Sequence, residues 1–253
     1  MFEAAWYVWA IVLVAVGTLG VATGMVLYRG GVAGQLDPRL ARRRGIATVL
    51  ALLGAAALSG WLAAAGFYSG EAGGSVPWIP LVFIAMLTGL LFSTRLPAVA
   101  KALDSPGSVV RLTLPHTVRV FGGVFLIVMA QDWLPAIFAL PAGLGDIAVG
   151  IAAPFVAMRL ARGKGVRRAV WFNVLGLLDL LVALTIGFLA ATGPFQVLDV
   201  QPSTDVLALL PLALIPTVAV PVAIALHIVA LRRLSRDTQQ ADKLDQGLEV
   251  GLS

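Results

Sequence analysis

Apolar residues fall in seven long stretches: about Ala5 to Tyr28, Ile46 to Phe67, Trp78 to Thr94, Thr117 to Ala130, Leu134 to Met158, Ala169 to Ala191 and Val206 to Leu231. A bilayer core of ~30 Å takes ~20 helical residues, so five of them are long enough as they stand. The third reaches spanning length if it continues past Arg95, whose side chain would snorkel to the headgroups, and the fourth if it starts near Pro115. The pattern predicts an all-α, polytopic transmembrane helix bundle of seven spans over residues 1–234, followed by a polar cytoplasmic tail over 235–253 carrying Gln239, Gln240, Asp242, Asp245 and Glu249. Small residues suggest where helices touch: Gly20 and Gly24 in the first span, and Gly54, Ala57 and Ala64 in the second.

Charge orients the bundle. With seven crossings the N-terminus lies outside and the C-terminus inside, and all eighteen Lys and Arg residues fall on the inner side. They group as Arg29, Arg39 and Arg42 to Arg44; Arg95, Lys101, Arg111 and Arg119; Arg159, Arg162, Lys164, Arg167 and Arg168; and Arg232, Arg233, Arg236 and Lys243. Glu3, Glu71, Asp132, Asp199 and Asp205 lie outside. Retention of positive charge in the cytoplasm gives this orientation. A re-entrant pair made of the fourth segment and the start of the fifth would give five crossings with the same charge split.

Composition narrows the class. The chain is 59% hydrophobic and only 12% charged, against roughly 25% charged in soluble domains. A net charge of +5 invites a nucleic-acid reading, but the basic residues hug span ends and form no tract with interleaved aromatics, so anionic lipid is the expected partner and nucleic acid is not. The absence of cysteine excludes disulfides and thiolate metal sites. The first span follows Glu3 without a basic leader region and reads as a retained helix. Fifteen Arg to three Lys in an Ala- and Gly-rich chain points to a GC-rich bacterial genome, hence the plasma (inner) membrane.

The chemistry-bearing residues are few. Asp146 and Asp179 are acids inside apolar stretches, and intramembrane carboxylates are functional candidates by default. Asp146 lies thirteen residues before Arg159 and Asp179 twelve after Arg167, so on helices they share a depth. Their surroundings, Gly143-Leu-Gly-Asp146 and Gly176-Leu-Leu-Asp179, put each acid in a stripe of small residues. Across an antiparallel pair the two carboxyls would share a proton or bind a cation. Alternatively, each simply bonds a neighbouring carbonyl.

A second set, His116, Arg119, Asn173 and His227, is expected nearer the cytoplasmic face, lining an inward-facing vestibule. Arg119 would clamp an anionic group there, or else anchor in the headgroups together with His116. Pro211, Pro216 and Pro221 would break the seventh span and free carbonyls near Leu207, Leu212 and Thr217.

The strings LPAIFALPAGLGD (Leu134 to Asp146), FNVLGLLDLLVA (Phe172 to Ala183) and LIPTVAVPVAIALH (Leu214 to His227) resemble those of uncharacterised bacterial multi-span integral membrane proteins. The likeness covers roughly the C-terminal half. It implies a membrane bundle and no particular activity.

Other classes fail on missing residues. Lys101, Lys164 and Lys243 lie in loops or the tail, which excludes a retinal Schiff base. No HExxH motif or glycine-rich phosphate loop occurs, no metal ligand set is evident, and Ser59 and Ser93 have no base nearby in sequence, so the chain leans away from an enzyme. Haem b would have to be held by His116 and His227. Two readings stay open. One is a small permease or proton- or cation-coupled transporter, acting on a small solute or ion through Asp146 and Asp179, with dimerisation offsetting its size. The other is a non-enzymatic binding or accessory protein for a lipid, quinone, pigment or haem, or a subunit of a membrane complex.

Overall fold

The computed structural model describes residues 3–72, 74 and 76–250, with side chains to residue 237 and that of Gln239. Within them the protein is all-α. α1 (Trp6–Ala33) and α2 (Pro38–Ala64) form an antiparallel hairpin, α3 (Trp78–Ser93) is followed by the short α4 (Pro97–Leu103), and α5 (Ser108–Met129), α6 (Ala136–Ala161) and α7 (Val166–Leu189) follow in turn. A π-helical turn at Ile215–Ala219 then leads into α8 (Val220–Val250). Six helices are long and apolar enough to cross a membrane, with the last span counted as Ile215–Asp237, and the α3–α4 pair makes a seventh if its two pieces count as one. The protein is a polytopic membrane protein. Leu50, Leu58, Ile84, Ile151 and Leu175 point outward, as lipid-facing side chains must.

The third span does not continue past Arg95. Leu96 precedes Pro97, and the proline ring excludes helical geometry at the residue before it. Leu96 is accordingly extended (ψ 128°), and α4 sets off at 83° to α3. The fourth span is longer than its apolar stretch, because the helix begins at Ser108 and runs 22 residues. The re-entrant alternative places the break at the fourth and fifth segments; the bent pair lies in the third.

Two ends of the bundle can be told apart by contacts. At one, Gly30 of α1 and Gly34, which follows its last residue, lie against the carbonyls of Ala102 and Lys101, so close that a Cβ would stand 2.4 and 2.8 Å from them. Arg233 and Arg236 of α8 reach Asp104 at 3.3 and 3.4 Å there, and Val109, Ala169 and Leu234 pack together. The α1–α2, α4–α5 and α6–α7 connections, with most of the basic residues, share this basic end. At the other end Gln131 bonds the Tyr7 hydroxyl.

α1 and α2 meet at Gly24 and Gly45, where a Cβ on Gly24 would lie 2.7 Å from the Gly45 carbonyl oxygen. The Gly20 and Gly24 contact face is as expected. The second-span stripe is not: Gly54, Ala57 and Ala64 are exposed, and α2 buries Ala41, Gly45, Leu52, Ser59 and Ala63 instead. Asp37 caps α2 by accepting from the Arg39 and Leu40 amides at 2.9 and 3.0 Å, with Pro38 in the first turn.

The seventh span opens irregularly. A 3₁₀ turn (Asp205–Ala208) precedes non-helical chain through Pro211, and the π-helical turn holds Pro216. The Leu212 carbonyl, which Pro216 cannot serve, accepts from the Ile215 amide at 2.9 Å. α8 continues helical through the segment expected as a polar tail; residues 251–253, and the side chains of Gln240, Asp242, Asp245 and Glu249, lie outside the described ones.

Candidate functional site: two carboxylates on one guanidinium

The site begins with the winding of α5. Pro115 withholds an amide donor, and from Leu114 to Gly123 the helix tightens to 3₁₀ geometry. With three residues per turn, side chains three apart eclipse, so His116, Arg119 and Gly122 share one face. That face packs on α6. Arg119 thus lies midway along a 22-residue span, and is no mark of a span end. It belongs to the interior and leaves the set of residues that orient the bundle.

Arg119 is the hub. Its Nε donates to Asp146 Oδ1 at 2.6 Å, and its Nη2 donates to Asp179 Oδ2. Nη1 donates to the Gly176 carbonyl at 3.2 Å and faces His227 Nε2 at 3.3 Å. The equal depths of Asp146 and Asp179 do bring them to one place, where a single guanidinium donates to both. Two carboxylates and one guanidinium leave one formal negative charge in a site where the three side chains are only 7–17% exposed.

The proton positions on His227 follow from its partners. Arginine cannot accept a hydrogen bond, so Nε2 is the acceptor and Nδ1 carries the proton. Nδ1 then donates to Asn173 Oδ1 at 2.8 Å, and Asn173 Nδ2 donates to the Ala169 carbonyl at 2.7 Å. A continuous polar chain therefore runs from the acids to the start of α7 at the basic end. His116 stacks face to face on His227, with ring centroids 3.7 Å apart and planes at 15°. Both of its ring nitrogens are buried without a hydrogen-bond partner.

Glycines clear the space for these groups. A Cβ on Gly122 would lie 2.1 Å from Asp146 Oδ2, one on Gly145 1.7 Å from Asp179 Oδ1, and one on Gly176 2.5 Å from His227 Nε2. Gly150 lets α6 approach the Val120 amide of α5, where a Cβ would meet it at 2.5 Å.

Asp146 and Asp179 form the floor of a cavity of about 920 Å³. Its walls include Phe125, Phe138, Leu180 and Ile215, and its mouth is formed by the α2–α3 loop and the Ala191–Leu209 segment, at the end away from the basic connections. His116, Arg119, Asn173 and His227 do not line it. They are packed behind the acids, at 8% exposure or less. At the mouth, Tyr68 lies 3.1 Å from the Ser59 hydroxyl, which bonds Thr217 at 2.6 Å. Thr217 in turn donates to the Ala213 carbonyl at 2.6 Å, so this chain ties the π-helical turn to α2. Burial pushes the Tyr68 phenol above its ordinary value, so it stays neutral.

A haem between His116 and His227 does not fit. Axial ligation aims two imidazole nitrogens at one iron from opposite faces of a macrocycle. These rings are in van der Waals contact, and both nitrogens of His227 are already engaged.

Sequence reasoning found all six polar residues but misplaced Arg119, because a cation was taken to mark a span end. Two mid-helix acids without a counter-ion were the available signal that one basic residue had to lie among them. Gly122 and Gly145 were missed as site residues, since only their contacts distinguish them from packing glycines.

Residues 76–235 match the model of a family described as a domain of unknown function (DUF8737). The matched region starts just before α3 and ends within α8, so it holds the whole polar site and leaves out α1 and α2. No curated protein and no solved structure matches the chain.

Proposed function

The chain belongs to that family, and from this premise we propose that it is a small permease of the bacterial plasma membrane, coupled to a proton or cation through Asp146, Arg119 and Asp179. The α3–α4 pair completes seven crossings, the basic end faces the cytoplasm and the N-terminus lies outside. The single observation that carries the proposal is the charge imbalance of the triad. One guanidinium neutralises one carboxylate, so the second needs a proton or another cation at the floor of a cavity.

The surroundings support the same reading. The cavity leads inward from the end without basic connections, and the chain from His227 through Asn173 to Ala169 continues toward the other. Together they give a polar route past an otherwise apolar core. The irregular start of the seventh span lines the same cavity at Ile215 and Pro216, and non-helical backbone at membrane depth belongs beside water or ligand.

The test is proton flux into liposomes carrying the purified protein and a trapped pH-sensitive dye, under an imposed pH gradient. Flux should rise above that of empty liposomes and return to it in Asp146→Asn and Asp179→Asn, with both variants folded by circular dichroism. Wild-type flux equal to that of empty liposomes, or unchanged flux in both variants, would overturn the proposal.

A further inference from the structure

We infer that the cavity takes an amphiphilic organic cation, a single positive charge carried on an apolar or aromatic body, in exchange for the proton held at Asp146 and Asp179. The inference rests on the charge imbalance above and adds the class of ligand. Its grounds are the composition and shape of the cavity.

Acids stand at both ends of it. Asp146 and Asp179 form the floor, and Glu71 and Asp205 lie at the mouth, Asp205 held there by the Thr192 amide and hydroxyl at 2.8 and 2.6 Å. Among the described residues no Lys, Arg or His lines the cavity, so an anion would find acids and no counter-charge. A zwitterionic lipid headgroup would carry its phosphate into the same acidic surroundings.

Between floor and mouth the walls are aromatic, with Trp78, Phe83, Trp133 and Phe188 joining the two deep phenylalanines. Aromatic faces attract desolvated cations, and the volume is that of a site for a drug-sized molecule. A small metal ion suits the floor less well. Among the described residues no group of three His, Asp or Glu side chains could hold one, and Arg119 already takes one oxygen of each carboxylate.

Exchange follows from charge. With the site holding one proton, an incoming monovalent cation restores neutrality only when that proton leaves to the cavity water. One positive charge enters and one proton departs.

The test uses two probes of the same shape and opposite charge, tetraphenylphosphonium and tetraphenylborate. Their binding to the detergent-solubilised, full-length protein is followed by calorimetry and by quenching of tryptophan fluorescence. Tetraphenylphosphonium should bind saturably, release about one proton per molecule in weak buffer, and bind more weakly as pH falls. Tetraphenylborate should not saturate. Asp146→Asn and Asp179→Asn should each weaken tetraphenylphosphonium by at least about thirtyfold, and Phe138→Ala by roughly two- to thirtyfold.

Equal binding of the two probes, or binding without proton release, would overturn the inference, and the wild-type comparison needs no substitution. Vesicles of zwitterionic lipid that displace the phosphonium from the solubilised protein would assign the site to a headgroup and overturn it also. Proton flux without phosphonium binding would leave the permease standing and remove this ligand class. Binding with proton release but no flux would do the reverse.

Discussion

The α1–α2 hairpin and the α5–α6–α7 core are both built on glycine, and they use it for opposite ends. In the hairpin, Gly24 and Gly45 bring two backbones together, and a Cβ on either would strike the other's carbonyl oxygen. In the core, Gly122, Gly145 and Gly176 bring a backbone up to a carboxylate or an imidazole. The first contact is apolar packing of the kind that joins membrane helices generally. The second makes room for charge. Glycine spacing in an apolar span therefore signals close approach without saying what approaches. Only the matched region, residues 76–235, contains the second kind.

The contrast is broken most severely at Arg119. Arg119→Leu strands two buried carboxylates and should cost about 3–5 kcal/mol, the usual loss when one partner of a buried ion pair is removed. Unfolding of the detergent-solubilised protein would show it. Adding Asp146→Asn and Asp179→Asn to the same chain should recover most of the loss, because no charge is then left unpaired. If Arg119→Leu alone unfolded like the wild type, the triad would not hold the core together.

Next in size are the two stacked histidines. His227→Phe leaves Arg119 Nη1 and Asn173 Oδ1 each short of a partner, at about 1–3 kcal/mol for each buried group. His116 has no such bonds to lose, so His116→Phe should stay within about 1.5 kcal/mol of the wild type, as volume-conserving swaps do. Thermal unfolding of the two variants side by side separates them. Equal losses would mean that the hydrogen bonds of His227 contribute nothing.

The glycines themselves sharpen the comparison. Gly145→Ala and Gly24→Ala should each destabilise by about 1–3 kcal/mol, as overpacked cores do. Only Gly145→Ala displaces Asp179, so only it should abolish proton flux in the fraction that folds. Smallest of all, Gly54→Ala meets nothing within 4 Å and should change stability by no more than about 1 kcal/mol, toward greater stability.

The sequence carried much of this, unevenly. Apolar runs located the spans because lipid imposes length and composition directly, and the shared depth of Asp146 and Asp179 followed from their spacing to Arg159 and Arg167. The extent of α5 was hidden because Ser108 to Arg119 mixes polar and apolar residues, and its 3₁₀ winding depends on Pro115 and on packing against α6. The third span looked continuous because Thr94 and Arg95 break no helix by themselves, whereas Leu96 before Pro97 does. The outward face of Gly54, Ala57 and Ala64 was illegible because small residues at helical spacing fit a lipid-facing surface as well as a contact. Which side of the acids the cavity lies on depended on loops that carry no periodic signal.

The most direct test of the central claim is infrared titration of the purified protein in lipid, following the C=O stretch of a protonated carboxylic acid that exchanges with solvent. The expected result is one such band in the wild type, absent from both Asp146→Asn and Asp179→Asn, since either change leaves one carboxylate for one guanidinium. A wild-type spectrum without the band in lipid free of organic cations, or a band that survives in both variants, would contradict a lone excess charge shared across Arg119.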